Sequence, residues 1–439
     1  MKIGLYVQDN TDNRKKEEKF KNVVNSVRKE DIDLLIFPEF TFIPNTDYYT
    51  TNICKNEGVN KINNMSLKLS KFLGCAVIIG AQTDGSHIGK FIYNSYANAF
   101  SKKDETKTKI YLKHVATEAS PFGFKNYKVH IPHLFEPIYL KGKKIGTTIC
   151  FECNNSLFSR AYNKSNIDII INSTGGNVKH MKWYRHNKVR AIENNCFSFC
   201  TMGYDENKNG NSFAFAFNPN GKSMDRKPLF PIINNNDIDN VFIYDTETDD
   251  LEYEKDINFN QKETSNNKGL VDIDAFKINT LLSSSEKIDK NLFVKILKDY
   301  SGEEYNIILV ETDKDEIIKP EIVLKRLFNP KLKSIKNKKY IIINKWDNID
   351  ESYYSNILSD VLKSRATENF CAVLLISNNI TKCYQSTKAK DSQVLKLENN
   401  KYIVDLKRMG GPESIWRGKS DMKSKWRKGY EELINYVAK

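Results

Sequence analysis

The sequence has no run of about 18 consecutive apolar residues, the length a helix needs to cross a bilayer. Met1–Tyr6 also passes straight into strand-like sequence, without the charged and then apolar segments of a signal peptide. Neither a membrane span nor a secretory leader is expected, and the chain reads as a cytoplasmic protein. Dense cysteine spacing is missing too. The eight cysteines, at 54, 75, 150, 153, 196, 200, 371 and 383, are scattered through 439 residues, the pattern of free thiols in a reducing compartment rather than of a secreted disulfide scaffold. The six histidines, among them His114, His130, His133, His180 and His186, form no close helical ligand pair and read as surface or loop residues. No zinc finger, RNA-recognition signature or other reader motif accompanies the net charge of +13. Lys, Asn and Ile recur throughout, as in "IINNND" (232–237) and "SIKNKKY" (334–340), so the charge is a compositional tilt and nucleic acid is not an expected partner.

What is present is an α/β alternation. A chain of 439 residues exceeds what one core organises, which implies one large domain and a smaller one. Within 14–30, Phe20, Val23, Val24 and Val27 fall at the spacing that puts one apolar stripe on a helix. Short apolar runs follow, "DLLIF" (33–37), "CAVIIG" (75–80), "KIGTTIC" (144–150) and "IDIIIN" (167–172), which read as buried strands. Phe213, Phe215 and Phe217 alternate with alanines and meet the turn signal "NPNGK" (218–222), predicting a half-buried strand that enters a hairpin. The Asn- and Asp-rich stretch 223–268 reads as surface loops, and "GLVDID" (269–274) as the last strand of a domain spanning 1–276. Residues 277–300 read as a linker. Strands then recur at "YNIILVE" (305–311), "KYIIIN" (339–344) and "CAVLLIS" (371–377), in a second unit spanning 301–439.

The second unit repeats part of the first. Asn172 closes one "IIIN" and Arg190 opens "RAIENNC" (190–196), 18 residues on; Asn344 closes another and Arg365 opens "RATENFC" (365–371), 21 residues on. Tyr354, Ile357, Leu358 and Val361 again fall at helical spacing. The unit 301–439 is therefore expected to be a degenerate copy of the latter half of the first domain. With "NIILVE" set against "GTTICFE", Val310 or Glu311 stands in place of the cysteine, and the copy reads as noncatalytic.

Breaking an amide or nitrile at neutral pH needs a nucleophile, a base, and a cation or N–H donors for the developing oxyanion. Three segments offer these: Glu39 just past a buried strand in "IFPEF", Lys113 near the end of another in "KIYLKH", and Cys150 at a strand-to-helix turn in "GTTICFE". Strand carboxyl ends are where α/β sheets assemble sites. The CxxC of Cys150 and Cys153 with the CxxxC of Cys196 and Cys200 also admits a four-thiolate zinc site. Zinc accounts for neither Glu39 nor Lys113, so no metal is expected.

These segments, in this order, resemble the signatures of the nitrilase, or carbon–nitrogen hydrolase, superfamily. "VIIGAQ" (77–82), "YNSYANAF" (93–100), "INSTGG" (171–176), "RAIEN" (190–194) and "SFAFAFNPNG" (212–221) extend the resemblance over roughly 1–276. It implies an α-β-β-α sandwich followed by the smaller α/β unit, a Glu39-Lys113-Cys150 triad, no cofactor, a small-molecule substrate and assembly into homo-oligomers. Cys150 would form a thioester, or a thioimidate from a nitrile, with Glu39 as base and with Lys113 and the Phe151 N–H at the oxyanion. Glu118 is the nearest match to a second glutamate, in wording ("KHVATEASPFGF", 113–124) that departs from the common pattern. Glu152 would position the turn, and Asn172 and Ser173 would line the pocket. Arg190 and Glu193 read as a structural ion pair. Amidase-like chemistry is expected ahead of nitrile hydrolysis; the alternative is a pseudoenzyme or assembly scaffold that binds a protein or polyanion.

Overall fold

The computed structural model describes residues 1–8, 16–39, 66–82, 91–96, 108–112, 135–175, 180–203, 213–225, 227–229, 240–247, 270–275, 277–278, 282, 287–289, 291–387, 390–409 and 433–438. The chain divides into two compact units, Met1–Glu254 and Lys255–Lys439. No described helix is long and apolar enough to cross a membrane.

In the first unit the apolar runs become the interiors of two sheets. β1 (Lys2–Val7), β2 (Leu34–Ile36), β3 (Ala76–Gln82), β4 (Phe91–Tyr96) and β5 (Thr108–Leu112) lie side by side in that order. β1, β2 and β3 are parallel, and a strand buried on both faces has no reason to alternate polar with apolar residues. A second sheet is built from β6 (Ile138–Leu140), β7 (Lys143–Ile149), β8 (Ile169–Gly175), β9 (Phe197–Gly203) and β10 (Phe213–Phe217), also adjacent in chain order. β11 (Lys227–Pro228) and β12 (Asn240–Asp245) then return to the first sheet beside β1. The stretch 223–268, expected as surface loops, thus contributes a strand paired along the whole of β1. Its "VFIY" core is short, and the flanking Asn and Asp residues masked it.

The layers follow from which faces are apolar. Helix α1 (Lys16–Val27) sets Phe20, Val23, Val24 and Val27 against Tyr6, Phe37, Val77 and Ile79 on one face of the first sheet. The other face meets the second sheet, where the rings of Phe199 and Tyr244 pack 5.9 Å apart and Thr201 Oγ1 donates to Tyr6 O at 2.7 Å. Outside the second sheet run α2 (Ser156–Tyr162) and α3 (His180–Asn194). Tyr184 of α3 lies 5.5 and 4.7 Å from the rings of Phe215 and Phe217. The result is an α-β-β-α sandwich. β10 is buried along its whole length rather than half-buried, because α3 covers its phenylalanines while the alanines face the opposing sheet; each ring removed from water contributes about 1.5–3 kcal/mol. His180 and His186, expected as surface or loop residues, both lie on α3: His180 is half-buried and edge-on to Phe213 at 5.2 Å, and His186 is buried near Trp183.

The second unit holds β13 (Leu270–Ile273), β14 (Lys287–Asp289), β15 (Leu292–Lys298), β16 (Glu304–Thr312), β17 (Lys338–Lys345), β18 (Ala372–Ile376), β19 (Thr381–Thr387), β20 (Lys390–Val394), β21 (Leu397–Glu398) and β22 (Lys401–Asp405). β14 to β20 form one sheet in chain order, parallel from β16 to β18. Helices α4 (Pro320–Leu327) and α5 (Ser359–Asn369) lie on one face, where Tyr340 donates to Leu327 O and Tyr384 to Ser359 Oγ. The opposite face, with Ile307, Leu309, Ile341, Ile343 and Leu374, is covered by a three-stranded sheet of β13, β22 and β21 through Val271, Ile273, Tyr402 and Val404. This corrects the expected boundaries. The strand at 269–274 pairs with β22 rather than closing the first domain, the division falls at Glu254/Lys255, and 277–300 contains β14 and β15 instead of a plain linker. A strand's sequence encodes its buried face but not its partner.

Candidate active site

Glu39 is delivered by the way β2 ends. Phe37 still donates its N–H to Ile78 O at 2.9 Å, but Pro38 has no N–H with which to continue the ladder, and the chain leaves the sheet. Glu39 is nonetheless only 2% exposed. A carboxylate out of water needs hydrogen-bond donors, and Oε2 accepts the Gly175 N–H at 2.9 Å while the Glu39 N–H donates to Thr174 O at 3.4 Å. β3 runs close beneath it: a Cβ on Gly80 would lie 2.3 Å from Pro38 O and 2.6 Å from Glu39 Cα, so only glycine fits there.

Cys150 stands at the carboxyl end of β7, buried, with φ +47°. The left-handed conformation costs a non-glycine residue about 1–2 kcal/mol, and it persists because the turn is held at several points. Glu152 Oε2 accepts the Ile149 N–H at 2.8 Å and the Tyr111 hydroxyl at 3.0 Å. Asn172 Nδ2 donates to Cys150 O at 3.4 Å and to Thr148 Oγ1 at 3.1 Å, and Arg190 Nε donates to Cys153 O at 3.1 Å. Tyr111 belongs to β5 and comes two residues before Lys113, so Glu152 ties the strand that leads to Lys113 to the turn that carries Cys150. Lys113 and Glu118 lie outside the described residues. The Phe151 backbone is part of the single turn Cys150–Asn154 that follows β7.

β8 links the two elbows. Asn172, Ser173 and Thr174 are all buried on it, with Ser173 opposite Ile149 in register. Thr174 Oγ1 donates to Asn172 Oδ1 at 2.8 Å and accepts from Trp183 Nε1 at 2.9 Å. On the neighbouring strand the Cys200 thiol donates to Asn172 Oδ1 at 3.5 Å. Burial, then the nearby Cys153 and Cys150, hold the Cys200 thiol well above the usual range, so it stays protonated at neutral pH. Beneath the turn, Arg190 and Glu193 form a buried ion pair that Ser159 Oγ joins at 3.3 Å. The sequence singled out neither Gly80, Tyr111, Thr174 nor Trp183. Three of them lie in or directly beside strings quoted for the resemblance; the fourth, Trp183, had no signal beyond its type.

The second unit repeats much of this framework, with Asn344 Nδ2 donating to Asp313 O at 2.7 Å where Asn172 Nδ2 donates to Cys150 O. In both, an antiparallel pair leads into two parallel steps and one antiparallel step. Thr148 pairs with Asn172, and Thr312 with Asn344. Asn344 Nδ2 donates to Thr312 Oγ1 at 3.2 Å, Asp313 N to Glu316 Oε2 at 3.2 Å, and Arg365 Nε to Ile317 O at 2.9 Å. These match the bonds of Asn172, Ile149 and Arg190, and the Arg365–Glu368 ion pair at 2.9 Å matches Arg190–Glu193. The register therefore sets Lys314 in the place of Cys150, which corrects the expectation of Val310 or Glu311. Lys314 is exposed and, among the described residues, not one of those with positive φ.

The profile of the carbon–nitrogen hydrolase family matches residues 6–229, half of the chain, and the protein belongs to that family. Its fold is similar to that of a carbon–nitrogen hydrolase from Helicobacter pylori G27, with 14% identity over 56% of this chain and 88% of the other and a TM-score of 0.42. An amidase from Nesterenkonia sp. is similar at 11% identity, 56% and 89% coverage and a TM-score of 0.41. A mutant of the Nesterenkonia sp. AN1 amidase in complex with butyramide is similar at 10% identity, 56% and 90% coverage and a TM-score of 0.41. No curated protein sequence matches the chain.

Proposed function

We propose that this protein hydrolyses the carbon–nitrogen bond of a small amide through a covalent thioester on Cys150. The observation that carries the reading is the convergence on β8: Gly175 N–H holds the buried Glu39 carboxylate and Asn172 holds the left-handed turn of Cys150. In this reading Glu39 takes the proton of Cys150 Sγ as sulfur adds to the carbonyl carbon. The oxyanion is met by the Phe151 N–H and the Lys113 ammonium, donors fixed before charge develops. Glu39 returns the proton to the departing amine, the C–N bond breaks, and a thioester remains. Glu39 then takes a proton from water, whose oxygen adds to the thioester carbon. The acid leaves and the thiol is restored.

A scaffold would need neither a buried carboxylate nor a strained cysteine. The second unit, with Lys314 where the first has Cys150, we read as a noncatalytic half-domain. The test is ammonia release from small primary amides and from the matching nitriles, with intact-mass detection of an acyl adduct of one substrate acyl group. Cys150→Ala, Glu39→Gln and Lys113→Met should each lower turnover by about 10³-fold or more, the loss typical of a residue acting in a catalytic unit. Unchanged rates in all three would overturn the triad, and faster turnover of nitriles than of amides would overturn the substrate class.

A further inference from the structure

We propose that Thr174 is a positioning residue that couples the Glu39 carboxylate to the Cys150 turn, an inference that rests on the catalytic reading of those two residues. Its carbonyl accepts the Glu39 N–H at 3.4 Å, and the next peptide N–H, of Gly175, binds Glu39 Oε2 at 2.9 Å. Its hydroxyl faces the other way. Trp183 Nε1 is a donor only, so Thr174 Oγ1 accepts there and must spend its own hydrogen on Asn172 Oδ1 at 2.8 Å. With Oδ1 so occupied, the Asn172 amide has one orientation, Nδ2 toward Thr148 Oγ1 and Cys150 O. The Thr174 hydroxyl, at 2.8 Å the shorter of the two donors to Asn172 Oδ1 beside the Cys200 thiol at 3.5 Å, thus helps to hold the end of Asn172 that meets the cysteine turn, and the same residue's backbone holds Glu39.

The second unit shows what this hydroxyl adds. There the asparagine brace is kept, Asn344 Nδ2 on Thr312 Oγ1, but the residue two places on is Trp346, whose Nε1 donates directly to Asn344 Oδ1 at 2.6 Å. One indole does alone what Thr174 and Trp183 do together. Framework stability therefore does not require the threonine. The two-residue relay occurs in the copy that carries Glu39 and Cys150, where Thr174 joins both elbows through its backbone and its hydroxyl.

The test compares Thr174→Val, which keeps shape and loses the hydroxyl, with Thr174→Ser, which restores it. Two readouts are used: amide turnover, and the pH dependence of Cys150 alkylation by iodoacetamide, followed by peptide mapping. Thr174→Val should lower kcat about 10- to 100-fold with KM changed less than about 3-fold, as for a group that aligns the reacting residues. Its Cys150 alkylation should half-saturate at higher pH than in the wild type, because Glu39 accepts the thiol proton less well. Thr174→Ser should recover both. Wild-type alkylation and turnover in Thr174→Val, or equal impairment in Thr174→Ser, would overturn the proposal. Loss of melting temperature without a shift in the alkylation profile would also overturn it, reducing Thr174 to packing. The alkylation arm reads the coupling even where turnover fails, and turnover insensitive to Cys150→Ala would sink the catalytic reading instead.

Discussion

Gly80 and Glu39 are in contact through their backbones: any Cβ at position 80 would stand 2.6 Å from Glu39 Cα. Glu39 is thus held from beneath by the absence of a side chain, and from the side by the Gly175 N–H. Gly80→Ala must lift the Pro38–Glu39 segment or bend β3. Overpacking of this kind costs about 1–3 kcal/mol. Urea denaturation should report that loss, and amide turnover should fall further than stability accounts for, since displacement of about 1 Å at a reacting group can cost about 10²-fold. Full activity in a less stable Gly80→Ala protein would show that Glu39 does not need its present position.

The correspondence of Lys314 with Cys150 makes a second prediction. Lys314→Cys, introduced into a Cys150→Ala background, should yield no amide turnover, because among the described residues the second unit has no counterpart of the Glu39 contact and its turn lacks the positive φ of Cys150. Measurable ammonia release from that double variant would mean that the second unit retains a working site.

The two buried ion pairs should be equally unforgiving. Arg365 is fully buried and Glu368 nearly so. Removing one partner strands a charge, at about 3–5 kcal/mol, whereas replacing both with apolar residues is often close to neutral. Arg365→Met should therefore shift the denaturation of the second unit to much lower urea, and Arg365→Met with Glu368→Leu should recover most of it. Similar losses in single and double variants would indicate that the pair acts through its backbone bonds, such as Arg365 Nε to Ile317 O.

Stability should also fall in alkali for a defined reason. Burial raises the Cys383 thiol from 9.0 to about 12, and burial followed by the Asp33 charge does the same for Cys75. Above pH 9 the unfolded chain loses these protons while the folded one keeps them, so deprotonation favours unfolding. The contribution is complete below pH 9 and is lost as pH rises toward 12. Urea midpoints taken at about pH 8 and about pH 10.5 should differ less in Cys383→Ala than in the wild type, by the linkage of proton uptake to stability. An unchanged pH dependence would assign the alkaline loss to other groups.

Much of this was legible in the sequence because it depends on local pattern. The stripe of Phe20, Val23, Val24 and Val27, the runs that became β2, β3, β7 and β8, and the paired "RAIENNC" and "RATENFC" strings all carry their structure in their spacing. Arg190 and Glu193, one helical turn apart, form the ion pair their spacing suggested. What failed depended on pairing. "GLVDID" looks the same whichever sheet it joins, and the alignment of Thr312 with Thr148 appears only when each is seen opposite its asparagine. Thr174 was invisible for a further reason: its role lies in the direction of one hydroxyl hydrogen, fixed by an indole nine residues away on α3.

The cover over the seven-stranded sheet of the second unit has a consequence for how the protein is made. β13 precedes every strand of the sheet it shields, while β21 and β22 follow them all. As the chain emerges, the apolar face of Ile307, Leu309, Ile341 and Ile343 has no complete partner until Lys401–Asp405 has been synthesised. The second unit closes like a parcel whose first and last folds meet, and a ribosome that stalls between them leaves a sticky surface for chaperones to guard.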